Sequence, residues 1–493
     1  MLLVLLLALG LRLFRADASL WYDEILTLVN FVRLPTLKLI GTLDSLNNHM
    51  LYSLMAQLSV GALGETALAL RLPAIVMGVA SIWMQWLIAR RLMGARGALI
   101  VALLMTFSYH HVWFSQNARG YTGLLFFCSA ATFAFIRGLE RPDWRSWTAY
   151  ALLVAAAMYV HMSAGFFFAA HGAVYAMLLA ARLTGGAWKG RAIAQWPGLS
   201  GLWPIFGIGL SIIVTLVLYA PIIGQAFATV QEVSQASAAA GGAALAEWLN
   251  PTRAVVEIGR SISSAGPLVP VILFAALLVL SAGAYALFRK SPLLVAIYVV
   301  HVPLAMLLLS LVGVRIWPRY FFVDIGFIFM AMVEGVVVWS AWISRFLRKG
   351  DKPLIDAPAL SLVGFIAMLL VSIGLLVPNY LHPKQDFIGA RNSARSLARP
   401  GDSIAAVGLA GYAYSHYYAQ DFKVIDTAAE LEALRAATPG RTWVILAFPH
   451  QTLVSRPDVK AELDAHFASV RTFKGTLGDG QVWLQASKDD SGR

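Results

Sequence analysis

The sequence predicts a polytopic, all-α membrane protein that carries a small α/β domain at its C-terminal end. Of the 493 residues, 59% are hydrophobic and only 13% are charged. A soluble domain of this length could not bury so much apolar side chain, so lipid is the expected solvent for most of the chain. The apolar residues also fall into runs that are long enough to cross a membrane.

About eleven apolar crossings are predicted. The first run, Met1 to Phe14, is short and has no basic residues before it. We interpret it as a membrane crossing that is short because the start codon is placed late. The alternative is a cleaved signal peptide. The run at 147–181 is too long for one crossing, and a polar hinge at His161 divides it into two. The others are 67–88, 98–116, 121–137, 203–224, 266–288, 292–312, 320–343 and 358–378.

We interpret the net charge of +12 as a consequence of membrane topology. Lys and Arg cluster in alternate loops between the apolar runs, and the positive-inside rule places those loops in the cytoplasm. This distribution argues against a nucleic-acid partner. The opposite, outer loops hold most of the polar residues that need an explanation. The lone cysteine, Cys128, lies in an apolar run and can form neither an intramolecular disulfide nor a thiolate metal cage.

Two parts of the chain lie outside the predicted membrane helices. The first outer loop, about residues 15–66, mixes apolar and polar residues at helical spacing, so we expect interfacial helices at 25–40 and 50–63. After Tyr380 the composition becomes that of a soluble domain, which divides the chain into 1–380 and 381–493. This α/β domain has expected helices and strands at 386–397, 403–407, 428–436, 443–447, 458–467 and 481–484.

Two adjacent carboxylates, Asp23 and Glu24, follow the first apolar run. Charge so near lipid is costly and needs a reason. Asp23 can act as a general base, while Glu24 can orient an acceptor, tune Asp23 or hold a cation. The structural alternative is that Asp23 caps a helix beginning near Ile25, with Glu24 favouring the helix dipole.

Three arginines mark the outer ends of predicted crossings, against the positive-inside trend. They are Arg119, Arg315 and Arg319, with Tyr320 directly after the last of them. A guanidinium can hold a phosphate group through two hydrogen bonds, so these residues predict a phosphate-bearing ligand. For Arg119 the alternative is an arginine whose charged end simply reaches the membrane surface.

Several histidines and tyrosines lie in the same outer segments. A histidine there can donate to a phosphate or a sugar hydroxyl, ligate a metal, or simply sit solvated at the interface. The tyrosines at 412, 414, 417 and 418 are expected to be ordinary packing residues. The accessory candidates are His49, Tyr52, Tyr121, His110 and His111.

Taken in order, these motifs resemble the membrane-embedded GT-C glycosyltransferases that use polyprenyl-phosphate sugars. The resemblance is to the branch of the protein O-mannosyltransferases and the aminoarabinose transferase of lipid A (glycosyltransferase family 39 type). The matching pieces are Asp23-Glu24, the segment with His49 and Tyr52, Ala118 to Tyr121, Pro318 to Tyr320, and an outer C-terminal α/β domain. Two positions depart from it: Met50 stands where a proline is expected, and Gly120 where several relatives place another residue.

The resemblance implies inverting transfer of a sugar from a polyprenyl-phosphate donor to a lipid, glycan or protein acceptor. The expected location is the extracytoplasmic face of a bacterial-type inner membrane. Asp23 would be the general base with Glu24 as its partner, and Arg119, Arg315 and Arg319 would bind the donor phosphate. No cofactor is certain, and a divalent metal near Glu24 and His49 stays open. The sugar, the acceptor and the isoprenoid length also stay open.

Two other classes of function compete with this interpretation. A lipid or polysaccharide flippase would place polar residues near the bilayer midplane, in paired broken helices. A non-catalytic protein of envelope assembly would suit the C-terminal domain but would leave the carboxylates and arginines without a role.

Overall fold

The protein is a multi-pass membrane protein built mainly of helices. The computed structural model describes residues 1–43, 45, 47–183, 196–239, 269–313, 316–349 and 352–488. Within these ranges, eight helices are long and apolar enough to cross a membrane: Ala67–Phe107, Tyr121–Glu140, Ala164–Leu183, Trp203–Glu232, Val269–Lys290, Pro292–Val312, Pro318–Phe346 and Ala357–Leu381. The predicted class is confirmed, while the total of about eleven crossings stays a prediction.

Shorter helices account for much of the remaining membrane part. Several of these shorter helices lie in segments that were predicted to be interfacial helices or membrane crossings. They are Leu2–Leu13, Tyr22–Thr27, Thr36–Ile40, Met50–Leu63, Tyr109–Ser115 and Trp144–Val160. The helix Ile223–Ala239 continues past the predicted run at 203–224, and the charged residues Arg253, Glu257 and Arg260 that follow it lie outside the described residues.

Two breaks divide long helical stretches. Gly94 interrupts Ala67–Phe107 with a φ of 71°, a conformation that glycine adopts without a steric penalty. The predicted runs at 67–88 and 98–116 therefore lie on two helical segments that meet at Gly94, and the second run continues past Phe107 into the helix Tyr109–Ser115. The second break separates Trp144–Val160 from Ala164–Leu183, which confirms the predicted hinge at His161.

The chain forms two compact units, which we describe separately. Unit 1 comprises residues 1–14, 36–55 and 72–374, and unit 2 comprises residues 15–35, 56–71 and 375–493. Unit 2 therefore joins the C-terminal domain to two stretches of the first outer loop. The predicted boundary at 380 treated those stretches as part of the membrane domain.

Close helix contacts stabilise unit 1. Val269–Lys290 and Ile325–Phe346 approach each other at Gly283 and Gly335. A Cβ atom on Gly283 would lie 1.7 Å from the Ala331 carbonyl oxygen, so only glycine fits there. Small residues at such crossings are typical of membrane helices, where van der Waals packing replaces the hydrophobic effect as the driving force.

A buried arginine ties the first helix into unit 1. The Arg12 side chain is fully buried and donates to the carbonyls of Ala8, Met105 and Thr106. It also donates to Ser115 Oγ at 3.1 Å and to His111 Nδ1 at 2.7 Å. A buried charge is tolerated only when it is hydrogen-bonded in this way.

Unit 2 contains a five-stranded mixed sheet. Its strands are numbered after a separate hairpin of unit 1, β1 Arg348–Lys349 and β2 Lys352–Pro353. They are β3 Ser403–Val407, β4 Lys423–Ile425, β5 Thr442–Ala447, β6 Phe467–Phe473 and β7 Val482–Ser487. The order across the sheet is β4-β3-β5-β7-β6. Strand β3 pairs in parallel with β4 and β5, whereas β7 pairs antiparallel with β5 and β6.

Helices pack on this sheet around a buried apolar core. This core includes Val444 and Leu446 of β5 and the helix residues Leu431 and Leu463. The helices of the domain are Phe387–Leu397, Leu409–Ala413, Ala428–Ala437, Pro449–Ser455 and Pro457–His466. The sequence pattern missed β4, which has three residues, and β6, whose five central residues are all exposed and mix polar with apolar side chains.

Candidate functional site

The paired carboxylates lie in a short helix of unit 2. This helix spans Tyr22–Thr27, and its N-cap is Trp21. The alternative in which Asp23 caps a helix near Ile25 is therefore wrong, because the helix starts before Asp23. Glu24 fills the third helical position, and its Oε2 accepts the backbone N–H of Trp21 at 3.2 Å. The carboxylate thereby satisfies a donor that the helix itself leaves unpaired.

Glu24 forms a buried ion pair with Arg71. The guanidinium donates to both carboxylate oxygens, at 2.7 and 2.5 Å, and both side chains are at most 2% exposed. Arg71 uses its remaining N–H groups on the carbonyls of Ala16, Ala18 and Ser19. All five guanidinium donors are thus engaged. This one side chain fixes the backbone that leads into the carboxylate helix.

Residues of the C-terminal domain hold the same helix from another direction. Gln385 Oε1 accepts the backbone N–H of Tyr22 at 3.0 Å, and the Tyr418 hydroxyl donates to the Leu20 carbonyl at 2.8 Å. The Tyr412 hydroxyl donates to the side-chain oxygen of Asn30. Tyr412 and Tyr418 therefore position the carboxylate segment, a role that goes beyond the ordinary packing expected from their sequence.

Asp23 itself is half-buried, in contrast to the fully buried Glu24. Burial and then the Asp23 carboxylate raise the pKa of Tyr22 to about 12, so the Tyr22 hydroxyl beside Asp23 is neutral at physiological pH. Burial also lowers the pKa of Lys384 to about 7, while nearby Glu24 raises it and nearby Arg71 lowers it. The two carboxylates thus have different surroundings and are suited to different roles.

We expect Lys384→Met to stabilise the protein at pH 6, with a gain that shrinks as the pH rises toward 10. The folded-state pKa of about 7 lies below the ordinary value of 10.5. Between these values the unfolded chain binds a proton that the folded protein has released, so wild-type stability rises with pH. Urea unfolding at pH 6, 8 and 9.5 measures this effect. A gain that stays constant over this range would contradict it, and Lys423→Met, at an exposed lysine, is the control.

A second group of predicted residues meets in unit 1. Arg119 Nε donates to His49 Nε2 at 2.8 Å, and the same guanidinium bonds to the side-chain oxygen of Asn47. Because a guanidinium can only donate, His49 Nε2 is an acceptor and the proton is on Nδ1, which bonds to the Val160 carbonyl. Burial and then the positive charge of Arg119 hold the pKa of His49 well below its usual range, so His49 is neutral.

His161 and Tyr121 complete this group. The ring of His161 lies 4.4 Å from that of His49 and 4.8 Å from that of Tyr121. Burial, then Arg119 and then Arg319, lower the pKa of His161 to about 3. Both arginines also lower the pKa of His49, so two guanidinium charges lie close to one pair of neutral histidines. This region is strongly electropositive and suits an anionic ligand.

Arg319 enters this region from the segment that opens a late helix. Pro318–Asp324 is a 3-10 helix, which continues into Ile325–Phe346, as the sequence predicted. The guanidinium lies 4.7 Å from the centre of the Trp317 ring and interacts with Tyr320. At the other end of the 3-10 helix, Asp324 and His301 form a buried hydrogen bond of 3.0 Å that anchors it.

Gly120 allows Arg119 to reach His49. A Cβ atom at this position would lie 2.2 Å from the Val160 carbonyl oxygen and 3.3 Å from His49 Cβ. The Val160 backbone cannot move aside as a flexible side chain can. Close packing therefore requires glycine at position 120. The departure from relatives at this position therefore has a structural reason in this chain.

We expect Gly120→Ala to destabilise the protein and to separate Arg119 from His49, because the added methyl group overlaps the Val160 backbone. The cost should be on the order of 1–3 kcal/mol. Urea unfolding of the protein in lipid nanodiscs measures it. Gly172→Ala is the matched control, since nothing lies within 4 Å of a Cβ there. Equal losses for the two variants would contradict the steric explanation.

The remaining predicted residues have different surroundings. Tyr52 is buried, whereas His110 is exposed beside Tyr109. His111 is buried, and its two ring nitrogens bond to Arg12 and to Ser81 Oγ at 2.9 Å. Arg315 lies outside the described residues. Roles for all four in substrate binding stay predictions.

No metal centre is visible among the described residues, where no three His, Cys, Asp or Glu side chains are grouped as ligands. Glu24 and His49, the two residues considered for a metal, each bond to an arginine.

Sequence reasoning missed several charged residues that are buried in the structure. Arg71 and Arg12 were absorbed into apolar runs, and Lys384 was counted with the soluble domain. His161 was noted as part of a hinge and as a polar residue of the outer loops, but not as a site residue. One sequence signal could have identified Arg12 and Arg71: each is an isolated charge inside an apolar run. Such a charge predicts a buried hydrogen-bonding or ion-pair partner.

Comparison with known proteins agrees with the predicted fold. Residues 49–194 match the family model for dolichyl-phosphate-mannose-protein mannosyltransferase, and this range contains His49, Arg119 and Tyr121. No curated protein sequence matches the chain.

Two solved structures resemble the chain over almost its whole length. ArnT from Cupriavidus metallidurans bound to undecaprenyl phosphate is 12% identical, with a TM-score of 0.50 covering 99% of this chain and 97% of that one. The oligosaccharyltransferase of Archaeoglobus fulgidus, in complex with Zn and sulfate, is also 12% identical, with a TM-score of 0.53 covering 96% and 72%. The chain therefore has the GT-C fold of the membrane-embedded glycosyltransferases, as its motifs predicted.

Proposed function

We propose that the protein transfers a sugar, with inversion, from a polyprenyl-phosphate donor to a lipid, glycan or protein acceptor. The observation that carries this proposal is the match of residues 49–194 to the family model for dolichyl-phosphate-mannose-protein mannosyltransferase. That range includes the hydrogen-bonded pair of Arg119 and His49. The bound undecaprenyl phosphate in the similar ArnT structure supports the same class of donor.

Arg119 and Arg319 bind the donor phosphate in this proposal, with Tyr320, Tyr121 and His49 around them. When the bond between the anomeric carbon and the phosphate oxygen breaks, negative charge grows on the phosphate. Cations held in place before the reaction stabilise that charge without reorganisation. His49 is neutral and accepts a hydrogen bond from Arg119, so it orients the guanidinium. Arg315 is a further candidate for the same phosphate.

Asp23 acts as the general base. A phosphate leaves without a strong acid, so the reaction needs one base for the acceptor and cations for the leaving group. Glu24 is better suited to positioning than to proton transfer, because both its oxygens bind Arg71 and its side chain is buried. We assign the chemistry to Asp23 and the alignment of its helix to Glu24.

The reaction takes place on the extracytoplasmic face of the membrane, where the C-terminal domain also lies. The support is the distribution of cations, since Lys and Arg are concentrated in the opposite loops. A bacterial-type inner membrane is the proposed location.

Transfer assays with Arg119 variants test the proposal. The purified protein, in nanodiscs with polyprenyl-phosphate sugars and a cell-envelope extract, should transfer sugar and release polyprenyl phosphate. Arg119→Gln should lower turnover about 10²- to 10³-fold, the usual effect of removing one charge-stabilising donor. Arg119→Lys should recover part of the lost turnover, because lysine restores the positive charge but not the two parallel N–H donors of a guanidinium.

The matched control for this assay is Arg90→Gln, at an exposed arginine of the same unit that lies over Trp86. Its turnover should equal that of the wild type. Unchanged turnover of Arg119→Gln would remove Arg119 from the donor site. Absence of transfer with every donor would overturn the transferase proposal in favour of transport or assembly.

A further inference from the structure

We propose that a basic cavity in unit 2 binds the phosphate headgroup of an anionic phospholipid. The cavity has a volume of about 670 Å³, within the ordinary range for small-molecule sites. It is separate from the carboxylate helix, and no role in glycosyl transfer is needed for it. Its main lining residues are Arg15, Leu381, His382, Arg471, Phe473 and Lys474.

The charges around the basic cavity are unbalanced. Arg15, Arg471 and Lys474 all have exposed side chains, and none forms an ion pair with a carboxylate in the described part of the chain. The one carboxylate in the lining, Asp386, accepts the backbone N–H of Gly389 at 2.8 Å and caps a helix. Like charges gathered in this way repel one another, and an anion among them offsets that repulsion.

Hydrogen bonds and ring contacts orient two of these cations. The Arg15 guanidinium donates to the Tyr380 carbonyl at the end of the last apolar helix. The Arg471 guanidinium lies 5.4 Å from the centre of the Phe473 ring and donates weakly to Ser393 Oγ at 3.4 Å. Arg15 also has a φ of 56°, which is unusual for a residue with a side chain. The arginine is therefore held in a defined place.

The position in the chain identifies the source of the anion. Arg15 comes two residues after the apolar helix Leu2–Leu13, and Leu381 is the last residue of the apolar helix Ala357–Leu381. The ends of such helices lie at the depth of lipid headgroups. Leu381, Ile388 and Phe473 add apolar surface to the lining, which suits the glycerol region of a lipid better than a free phosphate ion.

A lipid-retention experiment tests this assignment. The full-length protein is purified in nanodiscs of phosphatidylcholine and phosphatidylglycerol at four to one, without sugar donor, and retained lipids are counted by native mass spectrometry. We expect one phosphatidylglycerol per protein that phosphatidylcholine does not replace. The variant Arg471→Glu with Lys474→Glu should lose it, with affinity lowered on the order of 30-fold.

The control variant carries the same charge change at exposed cations elsewhere in unit 2, Lys423→Glu with Arg399→Glu, and should keep the lipid. Equal retention by the cavity variant and the wild type would overturn the proposal. Thermal protection by inorganic phosphate equal to that by phosphatidylglycerol would assign the cavity to a free anion and overturn the lipid source. Neither result depends on glycosyl transfer, so the two proposals can fail independently.

Discussion

Asp23→Asn should strongly slow sugar transfer while leaving the protein folded. The substitution keeps the size and hydrogen-bonding capacity of the side chain but removes its basicity. If Asp23 takes the proton from the acceptor, turnover should fall about 10²- to 10⁴-fold, the usual contribution of a positioned general base. Binding of the polyprenyl-phosphate donor should change little, because the proposed phosphate ligands are arginines.

The measurement compares turnover and donor binding for wild type, Asp23→Asn and Asp17→Asn. Asp17 is an exposed carboxylate six residues earlier, so its variant controls for the loss of one negative charge. Full activity of Asp23→Asn would remove it from the chemistry and direct attention to another base. Equal losses in both variants would indicate an effect of net charge on the surface.

Arg71→Met should be among the most destabilising single substitutions in unit 2. It would leave the Glu24 carboxylate buried without its main partner, and it would also release the carbonyls of Ala16, Ala18 and Ser19. Breaking a buried ion pair from one side costs roughly 3–5 kcal/mol. The nearby Lys384 offsets part of the negative charge, so we expect a loss of about 3 kcal/mol in the free energy of unfolding.

Unit 2 offers a matched control for this substitution. Arg33 and Glu65 form a second bidentate pair, with bond lengths of 2.9 and 2.6 Å, but both side chains are about 40% exposed. Arg33→Met should therefore cost less than about 1 kcal/mol. Urea unfolding in nanodiscs compares the two variants. Similar losses for both would show that burial of the Glu24 pair has little effect on stability.

The same contacts suggest why the C-terminal domain is present. Gln385 and Tyr418 bond to the backbone on either side of Trp21, directly before Asp23. A short helix with few residues of its own cannot hold a catalytic carboxylate rigidly, because isolated short helices are unstable in water. We infer that the domain orients the Asp23 helix, in addition to any role in acceptor binding.

The sequence by itself determined the class of protein and the candidate motifs. Hydrophobic runs predict membrane helices because their side chains favour lipid and because only internal hydrogen bonds can satisfy the backbone there, and the hinge at His161 was visible as a polar interruption. The carboxylates and the arginines Arg119 and Arg319 stood out because charge near lipid is costly. These signals depend only on nearby residues in the sequence, so they can be recognised without knowledge of the fold.

Only the tertiary structure decided which partner each charge has. Arg71 is 47 residues from Glu24, and Arg119 is 70 residues from His49, so no spacing rule connects them. The proposed division of roles between Asp23 and Glu24, adjacent in sequence, rests on burial: Glu24 faces Arg71 inside unit 2, whereas Asp23 is half-exposed. The sequence pattern shows that a charge needs a partner. Which residue that partner is depends on burial and distance, which only the folded chain has.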